Sequence, residues 1–100
     1  MEHELFNFNE QNIDESIKEI YTTFNNKLLI LLNVEKYDGP ITMQYLPFGG
    51  IQSFYNGNLI INCKNCFISV SELIYENNKI SSKDFIKKYE DELINNVFPN

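Results

Sequence analysis

The stretch Lys27-Leu-Leu-Ile-Leu-Leu-Asn-Val34 decides how this chain can fold. Five apolar residues follow one another from Leu28 to Leu32, whereas a strand with one wet face would alternate apolar and polar side chains. An unbroken run of this kind is typical of a strand that is buried on both faces. It is far shorter than the ~20 apolar residues that a membrane-spanning helix needs. The pattern predicts a central strand over residues 28–36 with structure packed on each side.

The segment before this strand has helical spacing of its apolar residues. Asn12 or Asp14 can cap a helix there by accepting hydrogen bonds from its first amides. Asn25-Asn26 would end it, because Asn tolerates the left-handed backbone conformation of a helix C-cap. The sequence therefore predicts an N-terminal helix over residues 13–25. Its apolar face would hold Ile13, Ile17, Ile20, Tyr21, Phe24 and Leu28, and its polar face Glu15, Lys18, Glu19 and Thr22.

Short apolar segments separated by turn residues follow the central strand. Asp38-Gly39-Pro40 is a turn signal, and Asn56-Gly57 predicts a hairpin with a type I′ turn. Strands joined by such short turns are antiparallel. The sequence predicts further strands over residues 41–46, 51–55, 59–63 and 66–75, with a helix starting near Ser71 as the alternative for the last, and a loop over residues 76–79.

The C-terminal part of the chain has the signals of a second helix. Ser81-Ser-Lys-Asp84 resembles a capping box with Asp in place of Glu, and an apolar stripe at helical spacing follows it. These signals predict a helix over residues 82–96. The whole chain is then expected to form a single α+β domain over residues 1–100, with an antiparallel sheet of about four to five strands, an N-terminal helix (13–25) and a C-terminal helix (82–96).

The charge balance favours a protein partner that is basic. The net charge is −6 and the chain contains no Arg, which is the residue that grips phosphate with two hydrogen bonds. Nucleic acids and anionic membrane surfaces are therefore disfavoured as partners. The alternative is that a modest negative charge only keeps the protein soluble.

The residues that usually carry chemistry form no convincing site in the sequence. Cys63-Lys-Asn-Cys66 has the spacing of a redox dithiol or of half a zinc site, but no second pair completes it, and two thiols flanking a turn is the favoured reading. His3 is the single histidine and lies near the N-terminus, where it is a poor candidate for a catalytic base. We expect no catalytic residue, no metal and no cofactor.

Carboxylates and tyrosines are the candidate contacts with a partner. Glu10 and three further carboxylates cluster on the predicted first helix and its approach, and several aromatic residues of the turn-rich middle must be exposed. Tyrosines beside carboxylates are common at protein-binding hot spots. The predicted partner-binding residues are Asp14, Glu15, Glu19, Tyr37, Asp38, Tyr55, Glu72 and Tyr75.

The acidic, Arg-free, single-domain profile resembles the small bacterial immunity proteins, among them those of contact-dependent growth inhibition systems. The resemblance extends over the whole chain as a profile and includes no motif, so it assigns no residue. It implies a protein that neutralises a cognate toxin, often a basic nuclease, by occluding its active-site face.

Other functions remain open at this point. They are a phage or mobile-element inhibitor of a host defence nuclease, an oligomeric structural protein, and a small thiol-dependent enzyme. No signal peptide is visible at the acidic N-terminus, so we expect a cytoplasmic protein with reduced thiols. We expect a monomer or a weak homodimer.

Overall fold

Two four-stranded antiparallel sheets and one helix make up the described part of the chain. The structure is a computed structural model that describes residues 4–41, 47–94 and 97–98, without the side chains of residues 52–55 and 94. Sheet A has the strand order β1-β2-β7-β8 and sheet B the order β3-β6-β5-β4. The elements are β1 (Ile20–Phe24), β2 (Lys27–Leu32), β3 (Glu35–Tyr37), β4 (Ile51–Tyr55), β5 (Asn58–Asn62), β6 (Phe67–Val70), β7 (Glu72–Tyr75), β8 (Asn78–Ser81) and α1 (Ser82–Ile94).

A bent two-stranded ribbon connects the two sheets. β2 pairs with β7 in sheet A, and the continuation of each strand, β3 and β6, pairs in sheet B. The register is the same on both sides of the bend, because Leu32 lies opposite Glu72 and Glu35 lies opposite Ser69. The predicted strands over 28–36 and 66–75 are therefore each divided between two sheets. The alternative of a helix starting near Ser71 is wrong.

The backbone at the bend is satisfied by other segments. Asn33 has φ 51°, a left-handed conformation that Asn tolerates and that turns the first strand out of sheet A. The next amide, that of Val34, donates to the carbonyl of Lys18 at 3.1 Å. On the second strand, the carbonyl of Ser71 accepts from the amide of Ser82 at 2.8 Å. These two hydrogen bonds pair backbone groups that the bend takes out of the sheet ladders.

The predicted N-terminal helix over residues 13–25 is wrong, and so is the predicted layout of one antiparallel sheet of about four to five strands with an N-terminal and a C-terminal helix. Residues 13–19 are irregular, and Ile20–Phe24 is strand β1, whose burial alternates from residue to residue. Asn25 and Asn26 have φ 52° and 64°, which places both in the left-handed region of a type I′ turn. The two asparagines therefore join β1 to β2 instead of ending a helix. β-branched and aromatic residues fill β1, and they pack well in a sheet.

Two-residue turns of the same kind close three hairpins. Asn56 and Gly57 have φ 54° and 79°, which confirms the hairpin predicted between β4 and β5. Glu76 and Asn77 have φ 52° and 65° and join β7 to β8, where the sequence predicted a loop over residues 76–79. The twist of these turns matches that of the strands, so they fix the register of each pair.

Helix α1 begins where the sequence predicted. The amide of Asp84 donates to the Ser81 hydroxyl at 3.1 Å, as in a capping box. The helix is described as far as Ile94, so the end predicted at residue 96 lies outside the described residues. The backbone of Tyr89 is not helical, with φ −124° and ψ 20°, and it marks a kink in α1. Phe24, Tyr75, Phe85 and Tyr89 form one ring cluster there, with centroids 4.9–5.6 Å apart.

The buried core lies on one face of sheet A. Leu29 and Leu31 of β2 are fully buried, whereas the side chains that alternate with them are half-buried or exposed. The prediction that both faces of this strand are covered is therefore wrong for the chain as described. The outward residues of β1, β2 and β7 that stay half-buried or exposed are Tyr21, Thr23, Leu28, Ile30, Leu32, Glu72 and Ile74.

Replacement of Thr22 by valine tests the strand assignment. Thr22 is 1% exposed on the core side of β1, and no described group hydrogen-bonds its Oγ1 atom. Because Val has the same shape without the unsatisfied hydroxyl, we expect Thr22→Val to raise the free energy of unfolding in urea by about 1 kcal/mol. Thr23→Val, on the outward side, should change it by less than about 0.5 kcal/mol. Equal effects would contradict the assignment.

Candidate binding surfaces

Residues 4–19 form an irregular segment along the edge of both sheets, which we call the acidic strap. Its apolar side chains Phe6, Phe8 and Ile13 are buried in the core. The amide of Phe6 donates to the carbonyl of Tyr21 at 2.8 Å, so the strap lies against the outer edge of β1. A strap with a buried apolar side needs no helix to hold it in place.

Asn65 fastens the middle of the strap to the turn between β5 and β6. Its Oδ1 atom accepts from the amide of Ile13 at 2.8 Å, and its Nδ2 atom donates to the carbonyl of the same residue at 2.9 Å. The side-chain amide thus pairs with Ile13 as a neighbouring strand would. This contact crosses 52 positions of the sequence and was not predictable from any local pattern.

The carboxylates of the strap all point outward. Five acidic side chains lie on these sixteen residues, against one lysine, Lys18, and each of the five is exposed. Phe6, Phe8 and Ile13 therefore lie on the core side of the strap and the carboxylates on its outer side, where Leu5 is also 45% exposed. The exposed carboxylates are those of Glu4, Glu10, Asp14, Glu15 and Glu19.

Asp14 shapes the turn in the strap. Its Oδ1 atom accepts hydrogen bonds from the hydroxyl of Ser16 and, at 2.8 Å, from the amide of Ser16. These hydrogen bonds, with a smaller contribution from Lys36, lower the pKa of Asp14 below its usual value of 3.8. The side chain predicted to cap a helix caps a single turn instead, and it remains charged throughout the neutral range.

The structure divides the predicted acidic cluster between two depressions. Asp14 and Glu15 line a groove of about 440 Å³ together with Glu35 and two lysines, Lys18 and Lys36. Glu19 lies instead in a smaller depression of about 110 Å³, beside Glu4 and Tyr21 and without a lysine in its lining. The hydroxyl of Tyr21 donates to Glu19 at 3.4 Å.

Tyr37 is the last residue of β3, and Asp38 follows it. Tyr37 is half-buried, and its hydroxyl donates to the carbonyl of Pro40 at 2.7 Å across the predicted Asp38-Gly39-Pro40 turn. Asp38 is exposed. Both residues stay candidates for contact with a partner.

The remaining predicted contacts are elsewhere. Tyr75 is 5% exposed and its hydroxyl donates to the carbonyl of Phe24 at 3.0 Å, so the prediction that it contacts a partner is wrong. Burial raises the pKa of Tyr75. Glu72 is on the outward face of sheet A, where it accepts from Asn33 at 2.7 Å. The side chain of Tyr55 lies outside the described part of the chain.

The sequence analysis missed one surface, which we call the apolar face. It is the outward side of sheet A and consists of Leu28, Ile30, Leu32 and Ile74, with Tyr21 beside them. Leu28 is 47% exposed. The signal that could have revealed it is the unbroken apolar run itself, which supplies residues to both faces of β2.

The two thiols lie on either side of a turn, as the sequence predicted. The amide of Cys63 donates to the carbonyl of Cys66 at 2.9 Å. Cys63 is buried, and this burial raises its pKa to about 12. The pKa of the half-buried Cys66 is also raised, chiefly by burial. Neither thiol is activated as a nucleophile at neutral pH.

The described residues form neither a cluster of metal-ligating side chains nor a membrane-spanning helix. Among the described residues, no three His, Cys, Asp or Glu side chains converge in a way that could hold a metal ion. In the same residues, no helix has the length and apolar character needed to cross a bilayer. The sequence matches no protein-family model, and no curated protein matches it.

Removal of the Asn65 side chain tests how the strap is held. We expect Asn65→Ala to lower the free energy of unfolding by about 1–2 kcal/mol, because two part-buried hydrogen bonds are lost. Hydrogen exchange at the Ile13 amide should become faster. Asn12→Ala, at an exposed position of the same strap, is the control and should have little effect on either measurement. An unchanged exchange rate at Ile13 in Asn65→Ala would contradict the contact.

Alkylation of the thiols tests their environments. With a pKa of about 12, Cys63 is a thiolate in only about one molecule in ten thousand at pH 8. We expect iodoacetamide to leave Cys63 unmodified in the folded protein and to modify both cysteines in urea, as read by mass spectrometry. Rapid modification of Cys63 in the folded protein would show that the thiol is accessible and activated.

Proposed function

We propose that this protein is an inhibitor of the immunity type, which binds a cognate basic protein and occludes that protein's active-site face. The partner class we propose is a toxin domain, such as a nuclease. The observation that carries the proposal is the acidic strap, which presents five exposed carboxylates on one anchored segment with a single lysine.

The attachment of the strap supports binding rather than mere solubility. Phe6, Phe8 and Ile13 are buried, and backbone hydrogen bonds hold the strap to Tyr21 and Val34. A segment that is already ordered loses little conformational entropy when it binds. Charges added only for solubility need no such attachment, whereas a complementary surface benefits from fixed positions.

Electrostatics gives the mechanism. A protein that cleaves nucleic acid has a positive cleft, because it must hold phosphates. An anionic surface is attracted to such a cleft, and long-range attraction raises association rates by about 10- to 1,000-fold at low ionic strength. Once seated, the strap would exclude the negatively charged substrate by occupying the cleft and by repelling it.

The contacts we propose are three carboxylates of the strap and two residues at the end of β3. Asp14, Glu15 and Glu19 belong to it, and Asp38 lies at the end of β3 with Tyr37 half-buried next to it. Asp14 also holds its own turn, so its substitution would alter structure as well as charge. We place the protein in the cytoplasm, where Cys63 and Cys66 would remain reduced.

Charge reversal on the strap tests the proposal. The probe is the polypeptide encoded by the gene adjacent to the one for this chain. We expect the double variant Glu10→Lys, Glu15→Lys to associate about tenfold more slowly at about 50 mM salt, and to lose most of its dependence on salt, because the attraction is reduced. Stopped-flow fluorescence at low and high salt measures both quantities.

A matched control separates position from net charge. Glu90→Lys, Glu92→Lys makes the same change in net charge on exposed positions of α1 and should slow association far less. Equal slowing by both variants would contradict a role for the strap. Failure of the encoded neighbour to bind the unaltered protein at any salt concentration would count against the proposed function as a whole.

A further inference from the structure

Two cysteines lie opposite each other at the turn between β5 and β6. The last pair in the register of these strands is Asn62 with Phe67. The same register places Cys63 opposite Cys66, and the amide of Cys63 donates to the carbonyl of Cys66 at 2.9 Å. The two residues are therefore cross-strand neighbours as well as being close in the sequence.

The two side chains also point to the same face of sheet B. Opposite residues of an antiparallel pair place their side chains side by side. Cys63 belongs to the buried core, and Cys66 packs against that core. The Cα atoms of a hydrogen-bonded antiparallel pair lie about 5.5 Å apart, within the range of about 4.4–6.8 Å that disulfides span. The backbone thus already has the spacing that a disulfide requires.

The surroundings of the two thiols differ, and this difference sets the order in which they can react. Cys63 is 2% exposed whereas Cys66 is half-buried, so a dissolved molecule reaches Cys66 first. Burial raises the pKa of both thiols, and Lys36 opposes this effect at Cys66. A catalytic dithiol needs a thiol of lowered pKa, which neither cysteine provides. The pair therefore suits a slow modification.

We propose that Cys63 and Cys66 form a reversible disulfide across the turn, and that this bond fastens the acidic strap through Asn65. The proposal does not depend on the proposed function, because it concerns how the strap is held and not what the strap binds. In a reducing compartment the pair stays a dithiol. The disulfide forms where a low-molecular-weight disulfide accumulates.

The exchange has two steps, with glutathione disulfide as the oxidant. The Cys66 thiolate attacks one sulfur of glutathione disulfide, which breaks its S–S bond, releases one glutathione thiolate and leaves a mixed disulfide on Cys66. The Cys63 thiolate then attacks the Cys66 sulfur and expels the second glutathione thiolate. The two cysteines lose two protons and two electrons in total, and two molecules of glutathione carry both away. Excess glutathione reverses the exchange.

Asn65 connects this bond to the strap. It lies between the two cysteines, and its side chain pairs with the amide and the carbonyl of Ile13 at 2.8 and 2.9 Å. When the hydrogen bond between Cys63 and Cys66 opens in the reduced protein, the turn can move and draw Asn65 away from Ile13. A disulfide keeps the two ends of the turn together during such an opening, so the strap should detach less often.

Mass spectrometry of the unaltered protein tests the bond. Dilute protein is incubated with glutathione disulfide at about pH 8, quenched with acid, unfolded in urea and treated with N-ethylmaleimide. We expect a product that carries neither glutathione nor maleimide and that takes up two maleimides after reduction by dithiothreitol. It should exceed the glutathione adduct at least about tenfold, because the second thiol is held opposite the first.

Single substitutions test the order of the steps. In Cys63→Ala the exchange stops after its first step, so glutathione should stay bound to Cys66. In Cys66→Ala the buried Cys63 should stay free of glutathione. Equal uptake of glutathione by the two variants would overturn this order. The result for the unaltered protein does not depend on how well either variant folds.

Hydrogen exchange tests the effect on the strap. We expect the Ile13 amide to exchange at least about threefold more slowly in the oxidised protein than in protein reduced by dithiothreitol. The amide of Phe6, which donates to the carbonyl of Tyr21 elsewhere on the strap, is the control and should change far less. In Asn65→Ala, oxidation should no longer alter exchange at Ile13, because the connection between turn and strap is absent.

The outcomes separate this proposal from the proposed function. Absence of the disulfide, a stable glutathione adduct or a bond between two chains would overturn the modification. Equal slowing at Ile13 and Phe6, or slowing at Ile13 that persists in Asn65→Ala, would overturn the fastening of the strap. None of these results involves a basic partner. Failure of the neighbouring gene's product to bind would count against the proposed function and leave the disulfide unaffected.

Discussion

The pairing of residues 29–37 with residues 67–75 is the interaction on which the two-sheet structure depends. This ribbon keeps one register through a bend, so its halves belong to different sheets while its strands remain neighbours. β1 and β8 attach to one half through two-residue turns, and β5 to the other by strand pairing. The acidic strap then lies along the edge of the sheets. At the bend, the amide of Val34 has no partner in the ribbon and donates to the carbonyl of Lys18 in the strap. The position of the exposed carboxylates thus follows from the ribbon.

Local signals predicted the elements that are determined locally. Asn56-Gly57 forms a hairpin because its residues accept positive φ angles. The hydroxyl of Ser81 caps α1 by accepting a hydrogen bond from the amide of Asp84, only three positions along the chain. The prediction of a first helix was wrong because the apolar residues of that segment fit both the helical period and the alternation of a strand. Ile13, Ile17, Ile20 and Phe24 fit helical spacing, while Ile20, Thr22 and Phe24 alternate as in a strand. The pairing of β1 with β2 decides between them, and pairing was not visible in the local spacing.

The candidate surfaces show the same division. The exposure of Asp14, Glu15 and Glu19 was predictable from their charge, since an unpaired carboxylate is rarely buried. Their distribution over two depressions depends on where the strap crosses the sheets. Tyr75 could not be assigned to the core from the sequence, because its place there depends on rings from β1 and α1. The apolar face could be predicted only with the knowledge that the described chain leaves one side of β2 uncovered.

The ribbon also has a consequence for the order in which the chain can fold. The three hairpins with two-residue turns join neighbours in sequence and can form in about 1–10 μs. The ribbon instead pairs Leu32 with Glu72, forty positions apart. Closing a loop of this length lowers the chain entropy before the stabilising contacts of the ribbon can form. During synthesis, the hairpin of β1 and β2 therefore cannot pair with β7 until β7 has left the ribosome, and its apolar side chains stay exposed to solvent until then.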